Sequence, residues 1–534
     1  MSKRSKKQLM GSILLLCLLS FGVVSAEGQD LTLRAGLTKF EFTLMNPLVS
    51  PWYTPANEFF GTTHVGLATF DSDLTPLPCL AETWEISPDG RSIEFSLVEN
   101  ATWLGGTPVT AEDVKFTYEY WRDKQLYRQG TTLNLYLDDV EVKDEYSGVI
   151  NLKEPYAHYF LRALFPTVYI IPKHIWEKVD DPKNYDGEDA MVGCGPYIFD
   201  GYDEDADTVY LKANTDYFEG RPVVDKIMWR HFRDADSMLL SLKKGEIDVL
   251  FDYKTPTGIR AESLESEEGI TVDLSPDINL RYLIFNYKRY PMSLVEFREA
   301  VSYAIDYQSL MDSVAGGYGV VPRKGLIPSA VPEYKPDLPV SEYNITKANL
   351  ILDSLSFLDS DGDGWRDLPD GSDLKIELLA RSTDSDGVRI VEQMSYTLKE
   401  AGIDAEPLIL EPTQAGKMTY TDKDFDMWVV SQDPYMSSLS FGAVDVVSTQ
   451  YGTCDDPEYI ELYENMMSAR DSAELTAAAY ALQDYYATEM PAIPLFWYQS
   501  IYPYRSDKFE GWIPVEGYGL TSHLSWFSIA PVNS

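Results

Sequence analysis

The sequence predicts a mixed α/β protein of several interleaved domains, and three observations carry that expectation. Alternating, strand-like runs and helix-like periodic runs are mixed along the whole chain rather than sorted into blocks. Leu374–Leu379, Gly387–Glu400 and Asp404–Leu410 read as strand, helix and strand, which demands a parallel pair joined by a crossover. About 508 residues follow an N-terminal leader, too many for one core, and no short repeat or low-complexity linker divides them.

The elements follow in order. Lys3, Arg4, Lys6 and Lys7 precede an apolar run from Met10 to Val24, and Val24-Ser25-Ala26 offers the small residues needed for cleavage before Glu27. The run is short for a span of about 20 residues. Leu14-Leu15-Leu16 before Cys17 lacks the small residue of a lipobox, so export without a lipid anchor is expected. Leu31 to Gly36 alternates as a strand. Trp84 to Ile86 and Ser92 to Leu97 flank Pro88-Asp89-Gly90, the chemistry of a hairpin turn. Thr110 is a candidate N-cap, with Glu112 and Asp113 in the first turn of its helix. Asp234–Lys244 reads as an amphipathic helix stopped by Gly245, then a short strand. Asn279–Asn286 is an apolar strand, and Glu296–Tyr307 a helix.

Composition excludes several classes. A hydrophobic fraction of 44% with 13% aromatics is ample for large cores. The formal charge of −41, near −45 once the leader's four positive charges are gone, opposes nucleic acid and anionic lipid as partners. The five histidines are scattered, and no His-Glu-x-x-His, Gly-x-Ser-x-Gly or phosphate-cradling loop occurs, so no enzyme is expected. Cys79, Cys194 and Cys454 admit one disulfide, with no pairing preferred. Asp359, Asp361 and Asp363 occupy positions 1, 3 and 5 of a calcium-loop pattern, with Gly364 at the sharp turn, Asp367 at position 9 and Asp370 at position 12. This run reads either as a structural calcium site or as a plain turn. No cofactor is required. Trp428, Tyr435 and Trp497 read either as pocket walls or as core.

Several segments together carry a resemblance. They are Leu80 to Gly90 with Trp103-Leu-Gly-Gly-Thr-Pro-Val-Thr-Ala-Glu-Asp-Val, Val192-Gly-Cys-Gly-Pro-Tyr, Asn214 to Pro222 with Val224-Asp-Lys-Ile, Gly245-Glu-Ile-Asp, Tyr282-Leu-Ile-Phe-Asn with Phe297 to Asp306, Ala401-Gly-Ile-Asp and Pro491-Ala-Ile-Pro-Leu. In order and spacing the chain resembles the family 5 extracellular solute-binding proteins, the peptide- and nickel-binding class. Cys194 departs from the Thr or Ser usual between the two glycines.

The resemblance implies a two-lobed periplasmic-binding-protein fold, hinged and type II-like, with an extra α+β domain inserted in the first lobe. Carried onto this chain, the first lobe takes 27–55, 191–277 and 500–534, the insert 56–190 and the second lobe 278–499. The implied function is capture of a short peptide by hinge closure, for delivery to an ABC permease by an exported, monomeric protein in the periplasm or at the outer face of the membrane. Nickel chelates or oligosaccharides are alternative ligands, and an extracellular hydrolase is the reading from another class. In peptide-binding members an Asp takes the ligand ammonium, and Asp433 in Phe425 to Tyr435 falls at that place; Asp433-Pro434 also reads as a turn. Arg381 falls where some members offer an Arg to the ligand carboxylate.

Overall fold

A computed structural model of the chain describes residues 30–38, 45–48, 54–250, 258–329, 331–432, 454–515, 519–520 and 522–532. The leader, Asp433 and Tyr435 lie outside the described residues.

One 11-stranded sheet runs through the molecule. In its first half Thr32–Leu37 pairs in parallel with Lys226–His231 and Val249–Leu250, and Lys226–His231 continues as an antiparallel meander with Thr208–Ala213 and Tyr197–Asp203. In the second half Lys375–Arg381 lies parallel to both Asp404–Leu410 and Met427–Gln432. Ile270–Phe285 and Ala492–Arg505 belong to both halves. They pair antiparallel from Ile270↔Arg505 to Ile284↔Ala492, with the register broken between Ser275 and Asn279. On one side of the break Tyr504 pairs with Val249; on the other, Leu280 to Phe285 pair with Gln432 to Met427.

The local signals of the sequence operate here. Ser385–Glu400 is the crossover helix; Asp384 caps it by accepting from Gly387 N at 3.1 Å. Ile390, Met394 and Leu398, spaced by one helical turn, pack on Ile376, Leu378 and Ala380 of the strand before it. Leu379, between them, faces the opposite core with Trp428 and Trp497, as a period of two requires. Helix Ala235–Lys243 starts at Asp234, whose carboxylate accepts from Ser237 N at 2.8 Å, and stops at Gly245, where φ is 70°. The expected helix 296–307 is instead two, Val295–Tyr303 and Tyr307–Ala315. Asp306 breaks it, because its carboxylate accepts from Ser309 N and so caps a new start.

A second sheet of four antiparallel strands, in the order Ala81–Ile86, Ser92–Leu97, Ser147–Leu152, Leu137–Val142, carries its own core with helices Ala111–Asp123 and Ala157–Leu164. The expected hairpin turn is present. Gly90 N donates to Ser87 O at 2.8 Å, and Asp89 accepts from Ser87 Oγ and Arg91 N. Asp113 accepts from both Thr110 N and Thr110 Oγ1, tying the start of the first helix.

The Gly193-Cys194-Gly195 run has a steric reason. Gly195 N donates to Thr63 O at 2.9 Å, and the two backbones lie so close that a Cβ on Gly193 would sit 1.9 Å from that oxygen. Cys194 is buried between them. Its thiol, like those of Cys79 and Cys454, is free, so none of the three forms a disulfide. Beside this contact His64 is fully buried with Nδ1 2.8 Å from Thr63 Oγ1, and burial lowers its pKa to about 4.

Two measurements follow from this junction. Gly193→Ala is expected to cost about 3 kcal/mol in urea denaturation through overpacking against backbone. Gly416→Ala, helical and with only Tyr420 at 3.7 Å, should be neutral or slightly stabilising. For His64 the unfolded imidazole titrates near 6.5, so stability is present above that pH and is lost as pH falls from 6.5 towards 4. The loss is up to about 3 kcal/mol. Denaturation curves across that window should be flatter in His64→Gln, and an unchanged slope would contradict the assignment.

Candidate functional site

Strand direction locates the site. Ile270–Phe285 runs from the first half of the sheet into the second, and Ala492–Arg505 runs back. Val249–Leu250 is antiparallel to Ala492–Arg505, so it and its parallel neighbour Thr32–Leu37 end towards the second half. Met427–Gln432 is antiparallel to Ile270–Phe285, so it and its parallel neighbour Lys375–Arg381 end towards the first. The carboxyl ends of parallel strands from both halves therefore meet at one seam, where open α/β sheets place ligands. Arg381 and Gln432 stand at that edge, and Asp433 follows Gln432 in the chain.

Arg381 and Trp428 come together. The guanidinium carbon lies 5.2 Å from the Trp428 ring centroid and 5.9 Å from that of Tyr420, whose hydroxyl accepts from Nη2 at 3.1 Å. Arg381 Nε is buried and has no hydrogen-bond partner among the described residues. The head group is thus oriented by aromatic faces with donor capacity left. Trp428 is 1% exposed and Trp497 4%; both pack in the core on one face of the second half of the sheet.

A charged network fixes the loop after Arg381. Arg281, the third paired residue beyond the register break, donates to both carboxylate oxygens of Asp384 at 2.6 and 2.9 Å. Its Nε reaches Tyr498 Oη at 3.3 Å, and Tyr498 donates to Asp386 at 2.7 Å. Burial works against the charge of Arg281, but the opposed Tyr498 and Asp384 outweigh it.

The four-stranded domain touches the second half across the seam. Its Phe70 and Leu74 enter the core that holds Trp428 and Trp497. Tyr156 donates to Glu464, His158 lies 3.4 Å from Ser472 Oγ, and Arg162 forms a buried ion pair with Glu333. These residues gave no signal in the sequence, because their partners are 171 to 314 positions away. Removing one member of such a pair leaves the other charge buried, at about 3–5 kcal/mol.

The acidic loop is brought together only in part. Asp359, Asp361 and Asp363, all exposed, place carboxylate oxygens within 4.8 Å of one another. Asp367 instead accepts from Ser360 N and Oγ, and Asp370 from Ser372 N and Oγ. Backbone N–H groups of Gly362, Asp363, Gly364 and Trp365 satisfy the first three. The loop holds its shape through its own hydrogen bonds, leaving three oxygens in position for a hard cation.

Known proteins share this architecture. The model of the bacterial extracellular solute-binding proteins, family 5 (middle), matches residues 75–448. The chain belongs to this family. A curated relative of this family 5 chain is the oligopeptide-binding protein AppA of Bacillus subtilis, 28% identical over 68% of this chain and 67% of AppA. The AppA structure in complex with a nonapeptide is 23% identical with a TM-score of 0.72, covering 94% of this chain and all of AppA. The nickel-binding periplasmic protein of Escherichia coli is 25% identical over 81% of this chain and 83% of its own. A periplasmic oligopeptide-binding protein of Thermotoga maritima superposes with a TM-score of 0.79 at 22% identity, over 94% of this chain and 99% of that one, and has also been solved with mannohexaose bound. The structural likenesses establish the fold as two-lobed with an added α+β domain. No helix among the described residues is long and apolar enough to cross a membrane.

The buried ion pair gives a direct test of closure. Glu333→Gln should shift ligand-free protein towards a more open form, read as a larger radius of gyration in small-angle scattering. Arg162→Met with Glu333→Leu, which leaves no unpaired charge, should largely restore the wild-type value. An unchanged profile in Glu333→Gln would show that the pair does not hold the lobes.

Proposed function

We propose that this chain is the extracytoplasmic substrate-binding component of an ABC importer, closing over a short peptide at the seam between its lobes. The carrying observation is convergence: strand ends from both halves meet at one edge, beside contacts that cross it. A ligand touching both lobes is then what favours the closed form. AppA, a relative that binds oligopeptides, supports peptide as the ligand.

In this reading Asp433 takes the peptide ammonium and Arg381 the carboxylate, each as a charge-assisted contact. Tyr435 walls a side-chain pocket, and Trp428 and Trp497 back it from the core. The lobes divide at 27–55, 191–277 and 500–534 for the first and 278–499 for the second, with 56–190 inserted. The protein works as a cleaved, exported monomer without catalysis, and without nucleic acid as partner. Calcium at Asp359, Asp361 and Asp363, with Asp367 and Asp370 flanking, would be structural and no part of ligand capture.

The test is a thermal-shift screen of the mature protein against di- to nonapeptides, a nickel–histidine complex and oligosaccharides. A ligand at 100 times its Kd should stabilise by about 2.7 kcal/mol. Peptides should raise the Tm, and Asp433→Ala should weaken them by about tenfold to a hundredfold. A response to sugar or nickel chelate with peptides silent would retain the fold and overturn the ligand.

A further inference from the structure

Cys79, Glu219 and His523 come from three distant stretches of chain, yet each offers a ligand atom within 4.8 Å of the other two. Cys79 directly precedes the four-stranded sheet, Glu219 lies in the turn between Thr208–Ala213 and Lys226–His231, and His523 lies in the C-terminal segment. Cys79 is 3% exposed. His523 Nε2 is 2.7 Å from Glu219 Oε2, and the Tyr217 hydroxyl donates to the same oxygen at 3.3 Å. Cys79 and His523 both line a cavity of about 80 Å³, with His64, Tyr169 and Ser522 among its other walls. Such a space holds several waters, at about 10–15 Å³ for each.

We propose that this cluster binds a thiophilic divalent cation of the zinc type. Cys79 Sγ, the His523 imidazole and the Glu219 carboxylate are its three protein ligands, and water from the cavity takes the fourth position. The donor set decides the class of ion. Sulfur, imidazole nitrogen and carboxylate together suit zinc, whereas calcium and magnesium require oxygen throughout, as the acidic loop offers. Bond lengths of about 2.0–2.3 Å set neighbouring ligand atoms of a tetrahedral site about 3.5 Å apart. Side-chain rotations of about 1 Å bring the three atoms to that spacing, the 2.7 Å contact between His523 and Glu219 opening to admit the ion.

Burial pushes the Cys79 thiol well above its ordinary value, so the metal-free form carries S–H. Binding replaces the S–H bond by an S–metal bond and sends that proton to solvent. His523 takes the metal on Nε2 with its own proton on Nδ1. The ion would join the inserted domain, the first half of the main sheet and the C-terminal segment at one point. This assignment does not depend on the ligand proposed for the seam.

The experiment uses the full mature protein, stripped with EDTA and titrated with Co²⁺ as a spectroscopic stand-in for zinc. One equivalent should produce a sulfur-to-cobalt charge-transfer band that Zn²⁺ displaces. Cys79→Ser should abolish the band and His523→Gln should weaken binding at least tenfold, while Cys194→Ser and Cys454→Ser leave it intact. No band in the folded wild type, or its survival in Cys79→Ser, would overturn the site. A second readout needs no variant: Zn²⁺ should slow iodoacetamide labelling of wild-type Cys79 at least tenfold in mild urea and leave Cys454 unaffected. Equal rates with and without zinc would reject the assignment.

Discussion

The antiparallel ladder between Ile270–Phe285 and Ala492–Arg505 is the constraint on which the rest depends. These two strands satisfy each other's backbone groups through most of their length, and it is through them that the two halves become one sheet. Because they run in opposite directions through both halves, they also orient every strand paired to them. That orientation turns the carboxyl ends of Thr32–Leu37, Val249–Leu250, Lys375–Arg381 and Met427–Gln432 towards one another. The register break between Ser275 and Asn279 lies within this shared pair, where the ladder gives up regular hydrogen bonding.

Charge is spent sparingly where it is buried. The chain carries 85 carboxylates against 44 Lys and Arg, most of them free to repel one another in water. The buried ions near the seam are paired instead. Arg281 is held by Asp384, Asp386 and Tyr498, and Arg162 by Glu333. The first network ties a loop of the second half to the shared strand, fixing the base on which Arg381 stands. The second bridges the inserted domain and the second half. Exposed pairs such as Lys375 with Asp373 add little by comparison.

Local chemistry was legible in the sequence and long-range meetings were not. The hairpin through Gly90, the Gly245 stop and the crossover unit 374–410 are written in short windows of turn residues and periodicity, and each is present in the structure. The Asp306 break was missed because the apolar spacing of the helix runs across it, and only the cap shows that a new helix starts. At the site, the placing of Arg381 beside Trp428 needs the register of parallel strands, Leu379↔Trp428, which no single window contains. In the acidic run the carboxylates of Asp359, Asp361 and Asp363 lie within 4.8 Å of one another, while Ser360 and Ser372 engage Asp367 and Asp370. Arg162 with Glu333, and Cys79 with His523, join residues hundreds of positions apart, so spacing rules had nothing to read.

Strand order also governs when the molecule can fold. Ala492–Arg505 lies in the interior of the main sheet, between Val249–Leu250 and Ile270–Phe285, yet it belongs to the last tenth of the chain. A growing polypeptide therefore reaches its final segment with both halves still missing a central strand and their apolar faces unjoined. The first half cannot set early as a free-standing unit in the way that sequential domains do. Such late closure comes at the cost of slow, non-local pairing. It also leaves the seam between the halves unformed until that last central strand is in place.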